Sequence, residues 1–110
     1  METVNIHGKK HATYAAILDK AHQEGLVGIK TELDQPPIEY NRYMVIVKAS
    51  ATFKQKDGTL TVFEGLGDAT PKNVNPMIAP HIVRMAETRA KGRALRDGLN
   101  IGEVMKEEMV

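Results

Sequence analysis

The chain has 110 residues, 42% of them hydrophobic and 26% charged, enough for one small folded domain and excluding both a multidomain layout and a disordered polymer. It contains no cysteine, which removes disulfides, thiolate metal sites and cysteine nucleophiles and suits a reducing cytoplasm. Net charge is only +1, so affinity for a polyanion has to come from local clustering of cations rather than from their total.

The N-terminus METVNIHGKK has no apolar run of the signal-segment kind, and no stretch approaches bilayer length, so a soluble cytoplasmic protein without a membrane partner is expected. Residues 9 to 24 place Tyr14, Ile17, Leu18 and Ala21 at helical spacing ahead of Gly25, which predicts a first amphipathic helix with a glycine C-cap. LVGIKTEL, ending before Pro36-Pro37, predicts an edge strand. From Tyr43 to Lys54 the alternation is strict: Tyr43, Val45, Val47, Ala49, Ala51 and Phe53 share the face expected in the core, and Met44, Ile46, Lys48, Ser50, Thr52 and Lys54 share the other. Asp57-Gly58 marks a tight turn, and Thr59 to Gly67 returns as the partner strand.

GLGDATPKNVNP, dense in Gly, Pro, Asn and Asp, is expected to be a connecting loop. A long helix follows, beginning between Pro76 and Pro80 behind an Asn75 cap and running to about Asp97, where Gly98 supplies a stop. The expected fold is therefore α+β: a helix, a three-stranded antiparallel sheet rich in hairpins, and a long C-terminal helix packed on the sheet. One domain spans 1 to 110, with its core over 9 to 102 and a tail over 103 to 110.

The last helix carries the functional signal. Between Arg84 and Arg96 there are five basic residues and one acid, Glu87. At 100° per residue, Val83, Ala86, Ala90 and Ala94 form a small-residue stripe for close packing on the sheet. Beside it, Ile78, Ile82, Met85, Arg89, Arg93 and Arg96 form a row that changes from apolar to arginine. Arginines at that spacing repel one another, so an anion is expected close by. A phosphate backbone suits guanidinium forks; acidic residues of the first strand or of a neighbouring subunit would also satisfy them. Lys91 and Arg84 lie on another face, available for a second contact.

The run GLGDATPKN followed by MAETRAKGRALRDGLNIG resembles the annealing domain of the Rad-fifty-two superfamily, with its bacterial DdrA and phage relatives, over residues 43 to 102. The matching residues are Gly65, Gly67, Ala86, Ala90, Arg93, Ala94, Leu95, Arg96 and Gly98. That resemblance implies a homo-oligomer, such as a ring, that binds single-stranded DNA in a groove between hairpin and helix. It implies phosphate contacts at Arg93, Arg96 and the loop residue Lys72. Gly92 departs from the eukaryotic pattern, which has a lysine there.

Lys48 and Lys54 on the polar face of the central strand, with Lys56 near the turn, are candidates for extending a DNA track, although lysines also keep strand faces soluble. Tyr40 and Tyr43 bracket Arg42 and belong to the residue types that stack on bases; strand parity nevertheless assigns Tyr43 to the core. His7 and His11 have i, i+4 spacing but no carboxylate in the same turn, and His22 is eleven residues further on, so no metal site is expected, and His81 has no assigned role. No phosphate-binding loop, nucleophile motif or paired carboxylates among Glu32, Asp34, Glu64 and Asp68 can be recognised, which argues against an enzyme and against a cofactor. Two alternatives to single-strand annealing stay open: a module like the double-stranded RNA-binding domain, which shares the order helix, three strands, helix, and an oligomeric interaction protein with no nucleic-acid role.

Overall fold

The computed structural model describes residues 3–6, 9–74 and 81–100, with residues 4–6, 9 and 10 described in backbone only. The fold is α+β. A short antiparallel hairpin, β1 (Thr3–Ile6) and β2 (Lys9–Ala12), precedes α1 (Tyr14–Gln23). Then come β3 (Leu26–Gln35), β4 (Val45–Lys54), β5 (Leu60–Ala69) and α2 (Ile82–Leu99). The last three strands form one antiparallel sheet in the order β3-β4-β5, with α2 packed on one face.

The first helix is shorter than its periodicity predicts. Residues 9 to 12 are strand, and the helix starts only after Thr13, whose hydroxyl accepts from the Ala16 amide at 3.1 Å. A threonine with extended backbone at that point satisfies an orphan donor of the first turn, which places the boundary there. Ile17 and Ala21 are buried against the body as expected.

In β4 the alternation holds. Val45, Val47, Ala49, Ala51 and Phe53 are buried, while Ile46, Lys48, Ser50, Thr52 and Lys54 are not. Tyr43 departs from this pattern, because the strand begins two residues later and Tyr43 lies in the preceding turn, 48% exposed. β5 pairs with β4 from Lys54↔Leu60 to Val45↔Ala69, so Gly65 to Ala69 is strand and not the start of a loop.

Asp57-Gly58 turns the chain as predicted, inside a wider connection from Gln55 to Thr59. The Asp57 carboxylate accepts from the Thr59 amide at 3.0 Å and from its hydroxyl at 2.7 Å. Those bonds favour the charged form and hold the carboxyl below its usual range. A depressed pKa contributes stability above the ordinary aspartate value, and that contribution is lost as pH falls through the depressed one. Acidification is therefore expected to loosen this turn before the sheet, seen as earlier amide exchange at Gly58 and Thr59, and Asp57→Asn should remove the pH dependence.

α2 meets β5 through glycine. A Cβ built on Gly67 would strike the backbone at Ala86 and Ala90, and one on Gly65 would lie 2.6 Å from the Ala94 amide nitrogen. Ala86, Ala90 and Ala94 are fully buried on that contact. Each four-residue step along the helix thus matches two residues back along β5. Carried one turn further, the four-residue step falls on Ile82, which packs against the core, and Val83 is 44% exposed instead of completing the stripe. Gly98 does not stop the helix. It lies inside α2 against the Phe53 ring, where a Cβ has no room, and the helix ends at Asn100 in the left-handed conformation. The expected start at Asn75, Pro76 and Pro80, and the tail over 103 to 110, lie outside the described residues.

Candidate nucleic-acid interface

The arginine row of α2 is directed at the chain's own sheet edge. β5 is an edge strand, and edge carbonyls need partners. Arg89 donates to the carbonyl of Asp68 at 2.9 Å and Arg93 to that of Leu66 at 2.7 Å, so an i, i+4 pair on the helix answers an i, i+2 pair on the strand. Arg89 also donates to the side-chain and main-chain oxygens of Asn73, both at 3.2 Å. It is only 4% exposed, which corrects its assignment as a phosphate contact: burial puts it out of reach of a polyanion. The anion called for by the row is in part Asp68, whose carboxylate lies 3.4 Å from Arg93. Asp68 also accepts from Asn73, tying β5, the loop and α2 together.

The remaining predicted cations are dispersed. Lys91 sits between α1 and α2, 5.5 Å from the Tyr14 ring centroid and 3.4 Å from Glu87. Burial outweighs the nearby lysine and raises the Tyr14 hydroxyl pKa. Lys48, on the open face of the sheet, pairs with Glu64 of β5 at 2.8 Å, which raises its pKa. Lys54 ends the same strand, about 30 Å from Val45 by strand rise. Arg96 is half-buried on α2, and Arg84 is exposed in its first turn. These side chains do not form one continuous track.

Lys72 does acquire a partner. It lies in the turn after β5, where the Thr70 hydroxyl accepts from the amides of Lys72 and Asn73 and Asn73 Oδ1 accepts from the Thr70 amide. This turn is the one Arg89 holds. Opposite stands the connection between β3 and β4, and the two enclose a cleft of about 520 Å³ lined by Arg42, Tyr43, Met44, Thr70, Pro71 and Lys72, with Glu39 and Asn41 at its wall.

Arg42 and Tyr43 both have left-handed backbone, with φ of 58° and 61°. For non-glycine residues that conformation costs about 1–2 kcal/mol each, and it persists where surrounding bonds over-determine it. Here they do. Asn41 Oδ1 accepts from the Ile38 amide, Asn41 Nδ2 donates to the Pro36 carbonyl, and the Tyr43 amide donates to the Ile38 carbonyl at 2.9 Å. Gln35 Nε2 donates to the Met44 carbonyl at 3.1 Å. The outcome is an exposed Tyr43 beside Arg42 at the cleft, with Tyr40 of the same connection 96% exposed.

The sequence offers Tyr40 and Tyr43 as stacking residues around Arg42, but it does not bring Lys72 beside them. Tyr43 has the parity of the core face, and only the Pro36-Pro37 pair and Asn41 signal that the strand has not yet begun. Among the described residues no group of three or more His, Cys, Asp or Glu is placed to hold a metal ion; His7 lies outside them. No helix among them is long and apolar enough to cross a membrane. Comparison with protein-family models, with curated proteins and with solved structures finds no significant match.

Proposed function

We propose that this chain binds single-stranded DNA and acts, as an oligomer, in strand annealing during recombination and repair. The observation that carries the binding is the cleft at the end of the sheet, where cations from two separate loops, Arg42 and Lys72, meet beside Tyr43. Cations for the backbone next to exposed aromatic rings are what a single strand needs, since its bases present faces that a duplex keeps stacked. Annealing and oligomerisation are supported by the resemblance of residues 43 to 102 to the Rad-fifty-two superfamily. Arg93 and Arg96 are secondary contacts in this proposal, and Arg89 supports the loop that presents Lys72.

The test is fluorescence anisotropy of a labelled oligonucleotide over a salt series. Affinity for single-stranded DNA should fall linearly in log–log form, and each lost phosphate contact should reduce the slope by about 0.7. Lys72→Ala and Arg42→Gln are each expected to weaken binding and flatten the slope. Lys48→Ala should change it little, because Lys48 is already neutralised by Glu64. Equal binding by wild type and the Lys72→Ala, Arg42→Gln double variant would refute the site.

A second reading has an observation of its own. α1, the three strands and α2 follow the order of the double-stranded RNA-binding domain, and α1 packs against α2. A duplex RNA arm in the same titration separates the two, and tighter binding of the duplex would favour this alternative.

A further inference from the structure

We propose that the Arg42–Tyr43 corner is a seat for one unpaired nucleobase, with the Tyr43 ring as its stacking surface and Arg42 and Lys72 on the flanking phosphates. This rests on the single-strand proposal above and specifies what its cleft recognises.

Three independent features lead to it. Strand parity would put Tyr43 on the inner face of β4 with Val45 and Val47, yet consecutive left-handed residues turn it away from the core. A ring that the core does not bury, held by strained backbone in a fully bonded turn, points to a use outside the core. The cleft beside it, about 520 Å³, has the size of a small-ligand site. Finally, the two cations reach it from different loops, so a backbone can be held on both sides of a base inserted between them. Glu39 at the wall disfavours a bare anion, whereas a nucleotide brings a neutral ring as well as its phosphate. A base in a duplex is already stacked on both faces, so the seat selects single strands without reading sequence.

The experiment compares a labelled oligothymidylate with an abasic deoxyribose-phosphate chain of the same length, at low salt, on the full chain. Wild type should bind the abasic chain about tenfold more weakly, the loss expected for one stacked base. Tyr43→Phe should keep that difference. Tyr43→Gly should abolish it and bind both chains as wild type binds the abasic one. Because glycine adopts positive φ without a steric penalty, Tyr43→Gly should also melt at or above the wild-type temperature, which separates lost binding from lost folding. Equal binding of both chains by wild type would overturn the base seat and leave single-strand binding intact. A Tyr43→Gly protein that melts lower and still discriminates would assign Tyr43 a structural role and overturn the seat too. Failure to bind either chain would refute the single-strand proposal itself.

Discussion

Gly67→Val is expected to be the most damaging single substitution in this domain. The helix backbone at Ala86 and Ala90 occupies the space its side chain would need, and backbone cannot move aside as the end of a flexible side chain can. α2 would have to lift off β5, giving up the buried contacts of Ala86, Ala90 and Ala94. Overpacking of well-packed cores costs typically 1–3 kcal/mol and occasionally more. With helix backbone as the obstacle, a loss of at least about 3 kcal/mol is expected, a large share of the stability of a small domain. Urea unfolding should show a much lower midpoint or no folded baseline. Gly28→Val is the matched control, since a Cβ there meets nothing within 4 Å; its midpoint should stay close to wild type. Equal effects of the two substitutions would mean that the close approach of α2 and β5 is not what the glycine serves.

Arg89→Leu should come next, with an effect on function as well as on stability. The substitution removes three hydrogen bonds from a charged donor and leaves the Asp68 and Asn73 carbonyls without it. Such bonds are worth about 1.5–3 kcal/mol individually and do not add fully, so a loss of roughly 3 kcal/mol is expected. Arg89→Lys should rescue only part of it, because a single ammonium cannot reproduce a planar fork reaching two oxygens of the loop residue Asn73 and a strand carbonyl. Since Arg89 holds the turn that carries Lys72, the lysine variant should also bind single-stranded DNA more weakly while remaining folded. Circular dichroism at increasing temperature, together with the anisotropy titration, measures both effects. A stable Arg89→Leu protein with a reduced salt slope would instead restore Arg89 as a direct phosphate contact.

The residues behind the family resemblance take on a different meaning in three dimensions. Gly65, Gly67, Ala86, Ala90, Ala94 and Gly98 are the close-packing surface between α2 and the sheet, and Phe53 fills the space beside Gly98. They encode a way of laying a helix on a hairpin. One of the two cations of the cleft comes from outside that pattern, since Arg42 precedes residue 43.

What the sequence determined by itself is what depends on near neighbours. The two-residue period of β4, the Asp57-Gly58 turn and the alanine stripe of α2 are local periodicities, and they led to an α+β domain with a three-stranded sheet and a covering helix. The exact start of α1 was within reach too, because Thr13 is a capping residue at the right place. Tertiary structure alone decided what the basic helix does. An arginine looks the same in sequence whether it meets a phosphate or a carbonyl of its own sheet edge, and the choice depends on the registry between α2 and β5. It also decided Tyr43, where parity predicted the core and a turn pinned by Asn41 and Gln35 put the ring outside. Periodicity records which side chains share a face; it does not record where the strand begins or what stands opposite.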